Sequence, residues 1–383
     1  MKIVFISSLL PTGHYTENLL KALHNHTKNQ YITYTDRDTN NLGVKGCGII
    51  KPVWRKNIFF WIDILKQLRI DKPDIVHLQH ELTMYGSIVT ALLFPLLVFI
   101  LRLLGYRVIT TLHAVVAKEQ ITDEFISNFM MNKPFYITPW TLCLVFSYIY
   151  TTVGKYSHIC ICHTHRLAQF LHKDYGVKKD KIITIPPVIP VHTILDDKKE
   201  KCFLYFGYMV RRKGIEYILR AFQKLIQTYP EYKLILAGGV IQGQEHAFEE
   251  LKTLVYSMGI DQAVIFKGFI PEETYLDELY AKAYAVVIPA RLSIAASGPL
   301  YHARGYHKCI LASDIGNFRE EITNMENGIL VDNEHWYEMM RKTIKQPDLV
   351  KKLENGAKKI AFQNGGEHIA KQYDRLYTHL HRT

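Results

Sequence analysis

The sequence predicts an α/β protein made of two doubly wound parallel sheets that face each other across a cleft. Three observations predict it. The 383 residues exceed what a single core ordinarily holds and suit two cores. Short β-branched runs alternate with helical periods along most of the chain. That alternation lapses once, across Pro186-Pro187-Val188-Ile189-Pro190 and the charged Asp196-Asp197-Lys198-Lys199-Glu200-Lys201, where proline stiffness and solvation replace both periods.

The first strand is expected at Met1-Lys2-Ile3-Val4-Phe5-Ile6-Ser7. Leu10-Pro11-Thr12-Gly13-His14-Tyr15 breaks it, and Asn18-Leu19-Leu20-Lys21-Ala22-Leu23 starts a helical period. The same grammar returns at Asp74–Leu78, Arg107–His113 and Ile159–Cys162. A second series runs through Cys202–Gly207, Lys233–Gly239, Val264–Gly268, Ala285–Pro289 and Cys309–Asp314. Strands separated by helical crossovers pair in parallel. The expected organisation is an N-terminal domain over residues 1–190, a linker over 191–201 and a C-terminal domain from 202.

Composition narrows the function classes. Hydrophobic residues at 48% and charged residues at 22% fit a globular chain and exclude disordered or fibrous classes. Six scattered cysteines and the lack of a signal-like N-terminus point to a reducing cytoplasm. Cys160 and Cys162, two apart in a β-branched run, belong on one face of a buried strand rather than to a metal or redox site. A net charge of +11 favours an anionic partner, either a nucleotide diphosphate or an anionic membrane face. Nucleic acid is not expected, because the basic residues are spread out and no aromatic–basic module accompanies them. Ser87 to Leu101 carries no charge, yet it falls short of the roughly 20 residues of a transmembrane helix. A helix buried between sheet and surface accounts for it; with the greasy Pro139–Phe146, a peripheral membrane contact is the alternative.

In open parallel sheets ligands bind beyond the carboxyl ends of the strands, so residues just after each strand are the site candidates. Thr12-Gly13-His14 leads into a helix N-terminus, where free N–H groups suit a phosphate. His77, His80, Glu81 and His113 fall at strand ends, with a satisfied core histidine as the alternative reading of each histidine. Gly207-Tyr208-Met209-Val210-Arg211-Arg212-Lys213-Gly214 follows a strand and precedes a helix. Three cations at a helix start oppose the macrodipole, which makes sense if a diphosphate neutralises them. A solvated loop is the alternative. Ser297-Gly298-Pro299-Leu300-Tyr301-His302 opens another helix, with Gly298 permitting close approach to a second phosphate cradle.

These residues resemble the retaining glycosyltransferases of family 4, with the two-Rossmann GT-B fold, over nearly the whole chain. The resemblance is carried by Tyr205-Phe206-Gly207 through Lys213-Gly214, Leu236–Gly239, Phe266–Ile270, the stretch from Ile288 to Gly316, and Asn327-Gly328-Ile329-Leu330-Val331. It implies that Lys213 binds the donor diphosphate, that Tyr208 stands where the family has an arginine, and that Arg211 or Arg212 takes over that role. It implies that His113 lies beside the transferred sugar and its acceptor. Aligned back from Ala312-Ser313-Asp314, Ile294 and His302 stand where the two glutamates of the E-x7-E motif are expected. Both carboxylates are gone, which leaves Ser297 and the Gly298 and Leu300 amides as phosphate donors, Pro299 having none to give. Pro186-Pro187-Val188 departs from the usual P-H/N-G hinge. The C-terminal domain then extends over 202–365, and residues 366–383 resemble the terminal helix that crosses back to the first domain.

The resulting expectation is a transferase moving a sugar from a nucleoside-diphosphate sugar to a glycan or lipid-linked acceptor hydroxyl, with retention implied by the resemblance. His113, Lys213 and Arg212 are the expected catalytic group; Gly13, Tyr208, Arg211, Ser297, Gly298, Pro299, Leu300 and His302 the donor side; His14, His80 and Glu81 the acceptor side. No metal or other cofactor is expected. The expected location is cytoplasmic, at most peripheral on the inner face of the membrane. The rivals are a catalytically silent sugar-nucleotide-binding subunit and, with less support for want of cleft acids, an enzyme that isomerises the sugar nucleotide.

Overall fold

The computed structural model describes residues 1–9, 14–38, 46–82, 84–129, 137–192, 199–241, 243–270 and 273–382. They form two parallel sheets in succession. The first contains β1 (Lys2–Ile6), β2 (Gln30–Asp36), β3 (Ile49–Trp54), β4 (Ile75–His80), β5 (Arg107–Leu112), β6 (Ile159–Cys162) and β7 (Ile182–Thr184), in the order β3-β2-β1-β4-β5-β6-β7. Helices α1 (His14–His26), α2 (Phe60–Asp71), α3 (Ile88–Leu103), α4 (Asp123–Phe129), α5 (Pro139–Tyr156) and α6 (His165–Lys173) make the crossovers.

The second sheet contains β8 (Cys202–Phe206), β9 (Lys233–Ala237), β10 (Val264–Gly268), β11 (Ala285–Ile288), β12 (Ile310–Ser313) and β13 (Ile329–Val331), in the order β10-β9-β8-β11-β12-β13. Its helices are α7 (Ile215–Ile226), α8 (Glu245–Ser257), α9 (Glu273–Lys282), α10 (Gly298–Gly305), α11 (Gly316–Glu321), α12 (Trp336–Lys345) and α13 (Pro347–Gln363). In both sheets the strand order reverses beside the first strand, and the crevice at such a switch point is where ligands bind.

The central strands are buried on both faces, as parallel strands covered by helices must be; β1, β11 and β12 are largely apolar, and β4 buries His77, Gln79 and His80 among its apolar residues. Cys160 and Cys162 sit side by side on one buried face of β6. The apolar run after Ser87 is the helix α3, whose Phe94, Leu97, Val98 and Leu101 fill the core. No helix among the described residues is long and apolar enough to cross a membrane.

Helix α14 (Gly366–Arg382) packs on the first sheet, where Ile369, Tyr373, Leu376 and Tyr377 join Ile3, Phe5, Leu20 and Leu23 in one core. The two halves also meet directly. Val115 N–H donates to the Ile294 carbonyl at 3.3 Å, and Ala114 and Ala295 form an antiparallel bridge. Leu292 and Ile294 pack against the core of the first half. The Glu320 carboxylate of α11 accepts from the first amides of α6, 2.8 Å from Arg166 N, where the helix dipole favours an anion.

Candidate functional site

The site is assembled where carboxyl ends of strands from both sheets meet. On the second sheet three backbone turns crowd together. Gly238, at φ +143°, lies so close to the Gly207 carbonyl that an added Cβ would stand 1.9 Å from its oxygen. A Cβ on Gly207, at φ +148°, would meet the Pro299 ring at 3.4 Å. Glycine is therefore required where the loops after β8 and β9 close on the start of α10.

From that junction the chain enters a 3-10 turn, Arg211–Lys213, and Gly214 then takes a left-handed conformation to start α7. Lys213 is partly buried, and burial with the neighbouring Arg212 charge lowers its pKa to about 7. Burial also lowers the Arg212 pKa, while Tyr205 and Glu81 raise it. Glu81, just after β4 of the first half, faces this cation across the cleft: burial raises its pKa and Arg212 pulls it back. Tyr208 lies beside the same carboxylate, and burial followed by the Glu81 charge raises its phenol pKa.

Arg211 departs from its expected role. It is exposed and forms a forked ion pair with Glu250 of α8, so its guanidinium is held away from Lys213. Of the two candidate replacements for the family's arginine, Arg212 is the one beside Lys213.

At the start of α10, Ser297 is 7% exposed and its Oγ has no hydrogen-bond partner among the described residues. Gly298 is exposed, with open space where a Cβ would be. Leu300 corrects the expectation of a free amide, because its N–H donates to the Ser297 carbonyl at 3.0 Å. His302 faces inward, edge-on to Phe206 at 5.4 Å between ring centroids.

On the first sheet, His113 follows β5 and is partly buried, with both ring nitrogens engaged. Nε2 lies 2.9 Å from Gln79 Oε1, and Nδ1 lies 3.2 Å from His163 Nε2. Tyr15 sits edge-on to His113 at 4.8 Å, and its hydroxyl meets that of Tyr373 at 2.7 Å. Burial, then the rings of His163, His80 and His77, keep the His113 pKa well below the usual histidine value.

His80 does not line the cleft. It is 2% exposed, its ring packs 4.5 Å from Phe94 of α3, and burial lowers its pKa to about 4. A residue ending a strand alternates between faces, and His80 points to the α3 face. His77 is likewise a satisfied core histidine, 2.8 Å from both Tyr377 Oη and Thr111 Oγ1. Gly13 and the side chain of His14 lie outside the described residues. No group of three His, Cys, Asp or Glu placed to hold a metal ion occurs among the described residues.

Sequence reasoning missed Gln79, His163 and Tyr15. His163 had the same signal that singled out His113, since it directly follows the buried run Ile159–Cys162.

Two Rossmann-like halves with a cationic turn on one and a histidine edge on the other define a GT-B protein. The comparisons agree, and the chain belongs to the family 4, group 1 glycosyltransferases: the model "Glycosyltransferase Family 4" matches residues 12–192 and "Glycosyl transferases group 1" matches residues 193–360. An uncharacterized glycosyltransferase of Methanocaldococcus jannaschii is 33% identical over 141 residues, covering 34% of this chain and 32% of that protein. One from Haemophilus influenzae is 23% identical, covering 58% of this chain and 63% of its own length. The chain thus spans less than two thirds of either relative. Among solved structures, sucrose-phosphate synthase of Thermosynechococcus elongatus aligns with TM-score 0.79 and 17% identity over 99% of both chains. Anabaena HepE in complex with UDP-glucose aligns with TM-score 0.76 and 15% identity, also over 99% of both chains.

Proposed function

We propose that the chain transfers a sugar from a nucleoside-diphosphate sugar to an acceptor hydroxyl, with retention, in glycan or glycolipid assembly. The observation that carries this reading is the pair Arg212 and Lys213 on the turn after β8, partly buried, with Glu81 of the first half facing Arg212. As the sugar–phosphate bond breaks, negative charge grows on the leaving diphosphate. Preorganised cations and a helix N-terminus in a site screened from water stabilise that charge more than the ground state. UDP and UDP-glucose in complexes of Anabaena HepE support a nucleotide-sugar donor.

The acceptor is assigned to the first half, as a glycan or lipid-linked hydroxyl approaching from an anionic membrane face. Neither α3 nor α5 contains an acidic residue, and Trp140 is 70% exposed, with Leu144 and Tyr148 exposed at the following i+4 steps. Co-sedimentation with anionic but not neutral liposomes is the expected result; equal recovery from both removes the membrane from the reading.

One observation favours a second reading, a silent sugar-nucleotide-binding subunit. Ile294 replaces a family carboxylate and packs against the first half. A calorimetric screen against UDP, GDP, ADP and their sugar conjugates, with donor hydrolysis followed in the same samples, separates the two. Binding with slow hydrolysis of one conjugate supports the transferase and identifies its donor. Binding without turnover, even with acceptor extracts, supports the subunit, and no binding refutes both.

A further inference from the structure

The His113 ring belongs to a longer chain of hydrogen bonds. His163 Nδ1 lies 3.0 Å from the Ile185 carbonyl, at the end of β7 where the chain leaves for the second half. A carbonyl only accepts, so His163 carries its proton on Nδ1. Burial lowers the His163 pKa to about 4, so the ring is neutral near neutral pH and its Nε2 is a bare acceptor.

The proton between the two imidazoles must then come from His113 Nδ1. This leaves His113 Nε2 as an acceptor facing Gln79, whose amide oxygen and nitrogen are interchangeable in position. Turned so that its NH2 donates to His113, Gln79 presents its oxygen to His77 Nε2, 3.2 Å from the amide atom now nearest it. The His77 Nε2 proton is then shared between Gln79 and Thr111 Oγ1, 2.8 Å away, and His77 Nδ1 accepts from the Tyr377 hydroxyl at 2.8 Å. All donors then point one way, from Tyr377 of α14 through His77, Gln79, His113 and His163 to Ile185. The opposite amide orientation places a lone pair against a lone pair unless His163 takes a second proton, which its burial opposes.

We propose that His163 is a positioning residue for His113: it accepts the His113 Nδ1–H, fixes that tautomer and ring plane, and ties the ring to the strand end where the interdomain linker departs. The proposal deepens the transferase reading and rests on it for its kinetic consequence, whereas the tautomer itself does not depend on turnover. With Nε2 held by Gln79, His113 is a neutral wall of the cleft and not a base for water or acceptor. The groups facing His113 are Tyr15 of α1, His77, Gln79 and His80 of β4, and His163 after β6.

The test uses the full chain, with the histidine 15N signals of wild type, His163→Phe and His163→Gln followed against pH. In wild type, His113 is expected as the Nδ1–H tautomer with no titration between about pH 5 and about pH 8. His163→Phe keeps the ring volume and the burial but cannot accept, so His113 should lose its fixed Nδ1–H tautomer and shift to Nε2–H, donating to Gln79 Oε1, while still not titrating in that range. His163→Gln, which can both accept from His113 and donate to Ile185, should restore the wild-type signals. If a donor is turned over, His163→Phe should lower kcat about 10-fold or more, with donor KM within about twofold and activity restored in His163→Gln. An Nε2–H tautomer in wild type, or unchanged His113 signals in folded His163→Phe, overturns the proposal. Should His163→Phe not fold, the wild-type tautomer and His163→Gln still decide it. Correct tautomers with no turnover of any donor would refute the transferase reading alone.

Discussion

Lys213 makes nucleotide binding sensitive to pH in a way that a solvated loop would not. Its pKa in the free protein is about 7, lowered first by burial and then by Arg212. A diphosphate supplies the missing counter-charge and should return it towards the ordinary lysine value of about 10.4. The sign follows from linkage: the bound state holds a proton that the free state loses above about pH 7, so affinity falls as pH rises and binding takes up a proton. If the pKa moves from about 7 to about 10.4, affinity for UDP or GDP falls roughly 50-fold between about pH 7 and about pH 9, or about 2 kcal/mol. Calorimetry in buffers of different ionisation enthalpy should show uptake approaching one proton at about pH 8. Lys213→Met should abolish the uptake and flatten the pH dependence. A wild-type affinity constant across that range, in a protein that does bind the nucleotide, refutes Lys213 as its diphosphate contact.

Other perturbations follow from the same geometry. Gly238→Ala drives a methyl into the Gly207 carbonyl at 1.9 Å and should destabilise the second half by about 3 kcal/mol or more, seen as a lowered denaturant midpoint. Ile294→Glu places the family's carboxylate against an apolar core; a loss of about 1–3 kcal/mol without gain of transfer is expected, and a gain in donor hydrolysis would show that Ile294 had only displaced a functional acid. Glu320→Ala removes the acceptor for the first amides of α6 and should cost about 1 kcal/mol in thermal unfolding while leaving nucleotide affinity unchanged.

Much of the fold was legible because parallel strands buried on both faces are continuous apolar runs, as at Ile3–Ile6, Val286–Ile288 and Ile310–Ala312. The strands β2, β3, β7 and β13 were not recognised. β2 carries Gln30, Thr33, Thr35 and Asp36; β3 is an edge strand bearing Pro52; β7 and β13 have only three residues each. Glu81, Arg212 and Lys213 were singled out from their place after strands, and the structure sets Glu81 against Arg212, the neighbour of Lys213. His80 was not separable from Glu81 by position, because a shift of one residue along a strand reverses the face and only packing by Phe94 reveals which. Arg211 and Arg212 were indistinguishable in the sequence, since Glu250, which pairs with Arg211, is far along the chain. The ring chain through His163 joins strand ends with Tyr15 and Tyr377, contacts that no local pattern encodes.

Helix α14 gives the protein an order of assembly. The sheet face made by Ile3, Phe5 and their neighbours is synthesised first, yet the residues that cover it, Ile369 through Leu380, emerge from the ribosome only after the whole second sheet. Until then that apolar face is covered only in part, by Leu19, Leu20 and Leu23 of α1, and His77 lacks its Tyr377 hydroxyl. The first half therefore cannot complete itself during translation. Its last packing step waits for the second half, which makes the nascent chain a natural client for chaperones that shield exposed apolar surface.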